Sequence, residues 1–508
     1  MRAATEGSAV SYPIPKDNRL KGPFQPMRFE ATVNECIVTH GEIPKDLAGG
    51  FYRTGPTWKR PTRQGTNGIL AMDGMVQGLV LENGRADFRN RWIRTPKYVL
   101  EESHGKGMFT WSDGDWQDWR CFGLGDVQRD AYTRGVPQGT NSVNIFPFQG
   151  MMLATADSVG APIAIDPITL DTVGIVAWSS KLSAGLHEKA AFGDGGFTAH
   201  PKWDPDTGVL YGWAYRDTAP YVTLHFVHPD GTVDSRDLWD APYNAVAHDI
   251  WLTKDHLVMP FQPFIVDKAR IAKGTGVYEW NPELPIVLAL IPRHDINGEI
   301  RYVRMDIEPQ YVMHTMSGNV SGSTLTLDGP IFNRPPFPFE QDFAKGDDVA
   351  LFFSIAKSQL GRWTVDLESG ATRSETLSDR PSELPKVDER FYGKGYRWGY
   401  QVGGRVKRDG MSMNSLVVTD MMTLSDQEYQ IRHDQPAAVL EATFAPRHVD
   451  SPEGDGYLIV PVSWWAENRG EYLIFDTHDI TQGPITRIEL PFRLGWTAHG
   501  HWMDFRTP

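Results

Sequence analysis

The chain has 508 residues and a formal net charge of -14, with 40% hydrophobic and 22% charged residues. These values are near the globular average, so the chain can bury a large core, while its acidity excludes the electrostatic footprint of a nucleic-acid-binding protein. Only two cysteines are present, Cys36 and Cys121. That excludes a disulfide framework, favours a reducing compartment and predicts a cytoplasmic protein.

The N-terminal residues 1–24 lack the basic start and the apolar run of a signal peptide, so they are predicted to form an arm that leads into the first strand. The longest apolar stretches, such as 285–292, fall well short of the ~20 residues that span a bilayer. No transmembrane segment is therefore expected.

Short runs typical of β-strands recur from there to the end of the chain. They include LENGRADF, DPDTGVLYGWAY, TLTLDGP and EGDGYLIVPVSWW, each bounded by turn residues. Glycine and proline are spread evenly, so residues 25–508 are predicted to form one all-β domain. No strict repeat is visible, but a closed propeller would remove exposed strand edges and leave an axis where side chains converge.

Four of the fifteen histidines lie at the ends of β-like runs beside apolar or aromatic neighbours: His200, His248, His314 and His499. A lone histidine in such a place is usually structural. The chain has no CxxC or HExxH motif, so spacing leaves both a shared metal and separate structural roles open, and zinc, copper or nickel would also suit these residues. Neither GxGxxG nor a P-loop is present, so no flavin or nicotinamide is predicted.

Longer motifs identify a family that the histidines alone do not. These are GEIPKDLAGGFYRTGP (41–56), MDGM (72–75), TAHPKWDPDTG (198–208) and ENRGEYLIFDTHDITQGPITRIELPFRLGWTAHGHW (467–502). Together they resemble the carotenoid cleavage oxygenases, including relatives that act on stilbenes and isoeugenol. The resemblance implies a seven-bladed β-propeller, with loops and short helices forming a cap over the metal-bearing face. It also implies a non-haem Fe(II) dioxygenase with O2 as co-substrate.

The resemblance further implies that His200, His248, His314 and His499 ligate one Fe2+ per chain. The family's last ligand is followed by glycine, which selects His499 over His501. Carboxylates that accept hydrogen bonds from three of the ligands match Glu383, Glu441 and Asp157. Because aspartate is shorter than the family's usual glutamate, Asp157 is expected to need a backbone shift or a bridging water to reach its histidine.

The C-terminal motif is similar to the branch that cleaves isoeugenol and lignostilbene, which implies an aromatic alkene substrate cut into two carbonyl products, such as an aromatic aldehyde. Two positions depart from that branch. Ala156 replaces a lysine that holds the phenolic oxygen, and Val143 stands where many members have threonine. With Phe109 and Trp111, these residues are predicted to line the substrate tunnel.

Two alternatives are left open by the sequence. The same enzyme chemistry could act on a carotenoid or apocarotenoid, which would require a longer apolar tunnel. A propeller with structural histidines could instead be a binding protein without catalysis. The oligomeric state is not predicted.

Overall fold

The computed structural model of the chain describes residues 22, 25–60, 72–109, 131–133, 136–137, 139–157, 160–178, 196–216, 219–266, 278–336, 358–407, 410–431 and 437–506. Residues 405–407 and 410–412 are described by their backbone alone. Trp111, predicted to lie in the tunnel, and nearly all of the predicted N-terminal arm fall outside these ranges.

Almost all regular structure in the described chain is β-strand, which confirms the predicted all-β class. The strands begin with β1 (Ala31–Val33), β2 (Ile37–Gly41), β3 (Gly49–Thr57), β4 (Asp73–Glu82), β5 (Arg85–Trp92), β6 (Asn144–Phe148), β7 (Met151–Thr155), β8 (Ile163–Ile165), β9 (Thr172–Ile175), β10 (Lys202–Trp203) and β11 (Leu210–Tyr215). They continue with β12 (Val222–Val227), β13 (Val233–Leu238), β14 (Trp251–Leu252), β15 (His256–Phe261), β16 (Phe264–Val266), β17 (Tyr278–Trp280), β18 (Val287–Pro292), β19 (Arg301–Arg304), β20 (Tyr311–Val312), β21 (Ser317–Ser321) and β22 (Thr324–Phe332). The last are β23 (Ser358–Asp366), β24 (Thr372–Lys386), β25 (Trp398–Lys407), β26 (Gly410–Asp420), β27 (Ser425–Gln430), β28 (Ala438–Val439), β29 (Thr443–Pro446), β30 (Gly456–Trp464), β31 (Arg469–Asp476), β32 (Thr486–Leu490) and β33 (His499–Asp504).

Antiparallel pairing joins mainly strands that are neighbours in sequence. Four-stranded sheets have the orders β6-β7-β8-β9, β10-β11-β12-β13 and β14-β15-β18-β19, and β16 pairs with β17. Strands β20 to β27 form one eight-stranded sheet through the long β24, whose first part pairs with β23 and whose last part pairs with β25. Burial alternates along β5 but is continuous along β30, as expected for an outer and an inner strand.

The two ends of the described chain meet in shared sheets. β3 lies between β4 and β33, with a register that runs from Thr54 opposite His499 to Gly49 opposite Asp504. The neighbouring sheet has the order β2-β32-β31-β30-β28, so β2 is also held by a C-terminal strand. This pairing places His499 in the same sheet as the first strands of the chain.

Each large sheet packs on the next through a shared apolar core. The shared cores contain Tyr52 with Met152, Leu153 with Val227, Trp213 with Met259, Leu290 with Trp363, Val402 with Val460, and Ile459 with Phe51, all buried. The β20–β23 and β25–β27 parts of the eight-stranded sheet are joined directly by β24. The cores therefore form a closed circuit that begins and ends at the sheet of β3.

The helices whose bounds lie within the described ranges are α1 (Pro96–His104) and the short 3-10 helices Glu389–Phe391 and Ile480–Gln482. The Thr95 side chain caps the start of α1, and Gly105 ends it in the left-handed conformation. Lys97 on α1 forms a buried ion pair with Asp73 of β4, 2.8 Å apart, which docks the helix on its sheet. None of these helices has the length and apolar composition needed to cross a bilayer.

Candidate metal centre

The four histidines predicted as metal ligands lie at strand ends or in adjacent turns. His200 precedes β10, His248 precedes β14, His314 lies between β20 and β21, and His499 is the first residue of β33. Each therefore comes from a different sheet, and each is at most 7% exposed. The spacing of these histidines along the chain could not reveal this arrangement, because the residues meet only after the sheets have packed.

The four imidazole rings converge on one point. One possible donor nitrogen from each ring lies within 4.8 Å of the others. The ring centroid of His200 is 4.5 Å from those of His248 and His499 and 5.0 Å from that of His314. The structure thus brings together all four of the predicted histidines in a buried group that could hold a single metal ion.

Three of the rings contact a buried carboxylate through Nδ1. Asp157 Oδ2 is 2.7 Å from His248, Glu383 Oε2 is 2.8 Å from His314, and Glu441 Oε1 is 2.8 Å from His499. All three predicted carboxylates are therefore placed beside the histidines. The contact of Asp157 is direct, so no bridging water is needed, while the expected backbone shift stays a prediction.

The carboxylates determine which ring nitrogen is free to bind a metal. A carboxylate accepts a hydrogen bond from Nδ1–H, which leaves a lone pair on Nε2. The Nε2 atoms of His248 and His314 are only 3.3 Å apart, so two acceptors face each other. His200 Nε2 is buried and, among the described residues, has no hydrogen-bond partner. The unpartnered His200 Nε2 and the close approach of the other two Nε2 atoms fit a cation that the rings share.

The pKa values of His200 and His499 favour neutral, ligand-competent rings. Burial lowers the pKa of His200 well below its ordinary value, and the nearby rings of His499 and His248 lower it further. Burial is also the largest influence on His499, and although Glu441 opposes it, the pKa falls to about 3. Both rings are therefore neutral at physiological pH, as metal ligation requires.

Charged partners determine the direction in which the pKa values of Glu441 and His314 shift. Burial raises the pKa of Glu441, but Lys386 and His499 outweigh it and hold that pKa below its ordinary value. Burial lowers the pKa of His314, but Glu383 more than offsets this, so the pKa of His314 is raised. Glu441 is thus ionised and able to accept two hydrogen bonds.

A bulge in β24 directs two side chains to the metal centre. Residues three apart on a regular strand point to opposite faces. Between Glu383, opposite Val402, and Lys386, opposite Tyr400, β24 contains one residue more than β25. Leu384 accommodates the extra residue with φ +55°, a conformation that is costly for leucine. The bulge therefore allows Glu383 and Lys386 to serve the same site.

The packing at Gly500 explains why the residue after His499 has to be small. A Cβ at this position would lie 2.4 Å from the Tyr52 carbonyl oxygen on β3, so a side chain has no room. The Gly500 N–H also donates to Glu441 Oε2 at 2.8 Å. His501, the alternative ligand, lies outside the four-histidine group and contacts Glu389 instead, with 3.2 Å between Nδ1 and Oε1.

The residues predicted to line the substrate tunnel do not all lie near the metal centre. Val143 packs against the apolar cluster that contains Ala156, and its carbonyl oxygen accepts a hydrogen bond from His499 N at 3.3 Å. Ala156 is buried directly before Asp157. Phe109 is buried just beyond α1, where its N–H donates to Glu101 at 3.3 Å. Val143 and Ala156 thus adjoin the metal centre, whereas Phe109 belongs to the α1 region.

Charged residues that lie beside the histidines were not predicted from the sequence. Lys202 and Asp249 form an ion pair of 2.7 Å. Lys386 Nζ lies 3.6 Å from Glu441 Oε2 and 3.4 Å from His501 Nε2. Lys202 and Asp249 lie within two residues of predicted ligands, a signal that was available in the sequence.

A small cavity adjoins His200, His314 and His499, and polar side chains form much of its wall, among them Lys202, Asp249, Lys386 and Glu389. The residues that line this cavity do not include Val143, Ala156 or Phe109. The cavity is therefore not the apolar tunnel expected from the sequence.

The described sheets follow one another in a closed circuit, and four buried histidines from different sheets converge, three of them in contact with a carboxylate. This arrangement defines a metalloprotein with an all-histidine centre. Residues 24–504 match the family described as retinal pigment epithelial membrane protein, RPE65. The chain belongs to this family, which is that of the carotenoid cleavage oxygenases.

Relatives are similar to the chain over nearly its whole length. Isoeugenol monooxygenase from Pseudomonas nitroreducens is 29% identical over 505 residues, which cover 96% of this chain and 98% of that protein. Lignostilbene-alpha,beta-dioxygenase isozyme III from Sphingomonas paucimobilis is 29% identical over 510 residues, with 97% and 98% covered. The crystal structure of Pseudomonas brassicacearum lignostilbene dioxygenase superposes with a TM-score of 0.82 at 28% identity, covering 97% of this chain and 100% of that one.

Proposed function

We propose that this protein is a non-haem Fe(II) dioxygenase that cleaves the C=C bond of an aromatic alkene, with His200, His248, His314 and His499 as the ligands of one iron. The observation that carries the proposal is the convergence of these four buried rings, whose possible donor nitrogens lie within 4.8 Å of one another. Asp157, Glu383 and Glu441 act on the iron through the rings, by fixing the tautomer and orientation of three ligands.

The ligand set suits a reaction that needs no external reductant. Four neutral imidazoles would hold Fe2+ without cancelling its charge, and the bound ion would supply the activation of O2. Cleavage of one C=C bond into two C=O groups uses both oxygen atoms and takes all four electrons from the broken bond. The protein's own residues then have to hold the metal, exclude water and orient the alkene.

The proposed substrate is a stilbene, isoeugenol or a related phenylpropenoid, and one product is an aromatic aldehyde. The support comes from the names of the relatives, isoeugenol monooxygenase and lignostilbene dioxygenase, which match over at least 96% of this chain. Ala156 offers no charged donor, so we propose that this part of the tunnel recognises the substrate by shape and not through a phenolate.

We propose that the alkene approaches the iron along Val143 and Ala156, with Phe109 farther out; Trp111, the fourth predicted tunnel residue, lies outside the described residues. The support is the hydrogen bond between Val143 O and His499 N, together with the position of Ala156 beside Asp157. Both side chains belong to an apolar environment that suits an aromatic ring. The polar cavity with Lys202 and Lys386 suits water better than such a substrate.

For the architecture we propose a single domain over residues 25–508, a seven-bladed propeller with a cap on its metal-bearing face. Dividing the eight-stranded sheet at β24 yields seven sheets besides the β16–β17 hairpin. Their closed circuit of shared cores, and the pairing of β3 with β33, support this count. A cytoplasmic location remains a proposal that rests on the low cysteine content.

The test is anaerobic reconstitution with Fe2+, followed by incubation with isoeugenol, hydroxystilbenes and β-apocarotenals under 18O2 and mass spectrometry of the products. We expect about one iron per chain and aldehydes from the aromatic alkenes, with label in both fragments. If only the apocarotenals were cleaved, the substrate would be an apocarotenoid and not an aromatic alkene. A protein that binds no iron would be a propeller without this catalysis.

A further inference from the structure

Three ligands have a carboxylate on the ring, and His200 is the exception. Within the described residues, no carboxylate hydrogen bond to its ring is present, and its backbone N–H bonds to Thr198 Oγ1 instead. Because an imidazole without such a partner is free to rotate, something else has to fix the position of His200. The nearest buried charge in sequence is Lys202, two residues further on.

Lys202 is anchored by Asp249, which is bonded to three separate segments. Asp249 Oδ1 lies 2.7 Å from Lys202 Nζ and accepts from Ile250 N at 2.8 Å. Asp249 Oδ2 accepts from the backbone N–H of Thr315 at 2.8 Å and lies 2.9 Å from its hydroxyl. Asp249, Lys202 and Thr315 are each at most 6% exposed.

The three segments that meet at Asp249 are those that present metal ligands. Lys202 follows His200, Asp249 itself follows His248, and Thr315 follows His314. One carboxylate therefore links the three segments that carry these ligands, through the Lys202 side chain and through the backbone N–H of Thr315. A buried carboxylate with this number of donors forms a rigid junction, since each bond is strengthened in a low dielectric.

We infer that Asp249, with Lys202, is a positioning residue of the metal centre: it fixes His200 through the backbone and couples His200, His248 and His314 into one unit. This inference rests on the proposed four-histidine iron site. Asp249 does not touch the metal in this role. It acts by holding the segments that carry His200, His248 and His314 in the positions from which their rings converge.

The test measures metal affinity and ligand geometry separately from folding. Fe2+ affinity is measured by competition with a chelator, ligand geometry by the visible spectrum of the Co2+ form, and folding by Tm. We expect Asp249→Asn to weaken Fe2+ binding on the order of 10- to 100-fold and to shift the cobalt bands. Asp249→Asn combined with Lys202→Met should weaken binding no more than Asp249→Asn alone, because the two residues act as one unit.

The matched control is the buried pair of Lys97 and Asp73, whose atoms are 2.8 Å apart, against 2.7 Å for Lys202 and Asp249, but lie between α1 and β4. Asp73→Asn should lower Tm comparably and leave Fe2+ affinity within about two-fold of wild type, with unchanged cobalt bands. If Asp249→Asn behaves like this control, Asp249 is merely structural and the inference is overturned.

A second pair of variants keeps the test decisive if Asp249→Asn does not fold. Thr315→Val loses the hydroxyl but keeps the backbone donor, and Thr315→Ser keeps both. We expect weaker iron binding in Thr315→Val and near-normal binding in Thr315→Ser, whereas equal affinities would contradict the inference. Failure of the proposed function would look different, since wild type would then bind no iron or His314→Ala would still bind it.

Discussion

Glu441 and Glu383 look equivalent in the sequence, but the structure predicts that their replacement by glutamine has unequal effects. Both oxygens of Glu441 accept hydrogen bonds, Oε1 from His499 Nδ1 and Oε2 from Gly500 N. A glutamine can accept only one of them, because its NH2 group would oppose the other donor. Glu383 uses only Oε2 toward His314, and its Oε1 has no partner among the described residues. A glutamine there can keep the contact to His314.

The size of the difference follows from the hydrogen bonds that are lost. Leaving a buried donor unsatisfied costs about 1 to 3 kcal/mol. In Glu441→Gln this cost falls on His499 or on the adjacent Gly500, so iron affinity should drop by roughly 100-fold, near the upper end of the range for supporting carboxylates. Glu383→Gln should lower it by about 10-fold, because only the negative charge is removed.

The assay is Fe2+ binding by chelator competition in both variants, with turnover of the best alkene substrate and Tm measured on the same preparations. Asp157→Asn serves as a further comparison, since its Oδ2 alone contacts His248 and Tyr215 and an amide oxygen can take its place. A larger loss in Glu383→Gln than in Glu441→Gln would refute the reasoning, and so would wild-type affinity in both.

Three more predictions concern the neighbours of the iron site. His499→Ala should lose its iron, while His501→Ala should retain it, as measured by metal analysis of the purified variants; the opposite pattern would assign the ligand to His501. Gly500→Ala should destabilise the fold by about 1 to 3 kcal/mol in denaturant unfolding, because the new Cβ meets the Tyr52 carbonyl, and an unchanged midpoint would mean that β3 can move away. Because Ala156 offers no donor, kcat/KM for isoeugenol and its methyl ether should differ by less than about 100-fold, or roughly 3 kcal/mol; a greater loss would require a phenol-binding donor elsewhere.

The four-histidine site could be predicted because the chain resembles a known family, and two of the histidines, His200 and His499, lie within the motifs that carry the resemblance. The all-β class followed from short alternating runs, and the choice of His499 over His501 followed from the glycine after it. The structure adds the physical reason for that glycine, since Gly500 is pressed against Tyr52 of β3. The family pattern thus records a steric requirement that only strand pairing reveals.

Other features could not be predicted because they depend on register and packing. The bulge at Leu384 depends on how β24 pairs with β25, which the sequence does not show, yet it decides where Glu383 and Lys386 point. The direct contact between Asp157 and His248 depends on where the backbone places Asp157, so side-chain length alone could not predict it. The junction at Asp249 required knowing that three turns meet in space.

The pairing of β3 with β33 has a consequence for biosynthesis. Arg53 and Thr497, which share a hydrogen bond, are 444 residues apart, so this contact closes a very long loop and is expected to form late in folding. The last histidine is delivered by the same closing strand. A nascent chain on the ribosome therefore holds at most three of the four histidines, and iron capture has to wait until translation has passed β33. Loading with metal would then report that translation has passed β33, since a chain interrupted before this strand cannot assemble the centre.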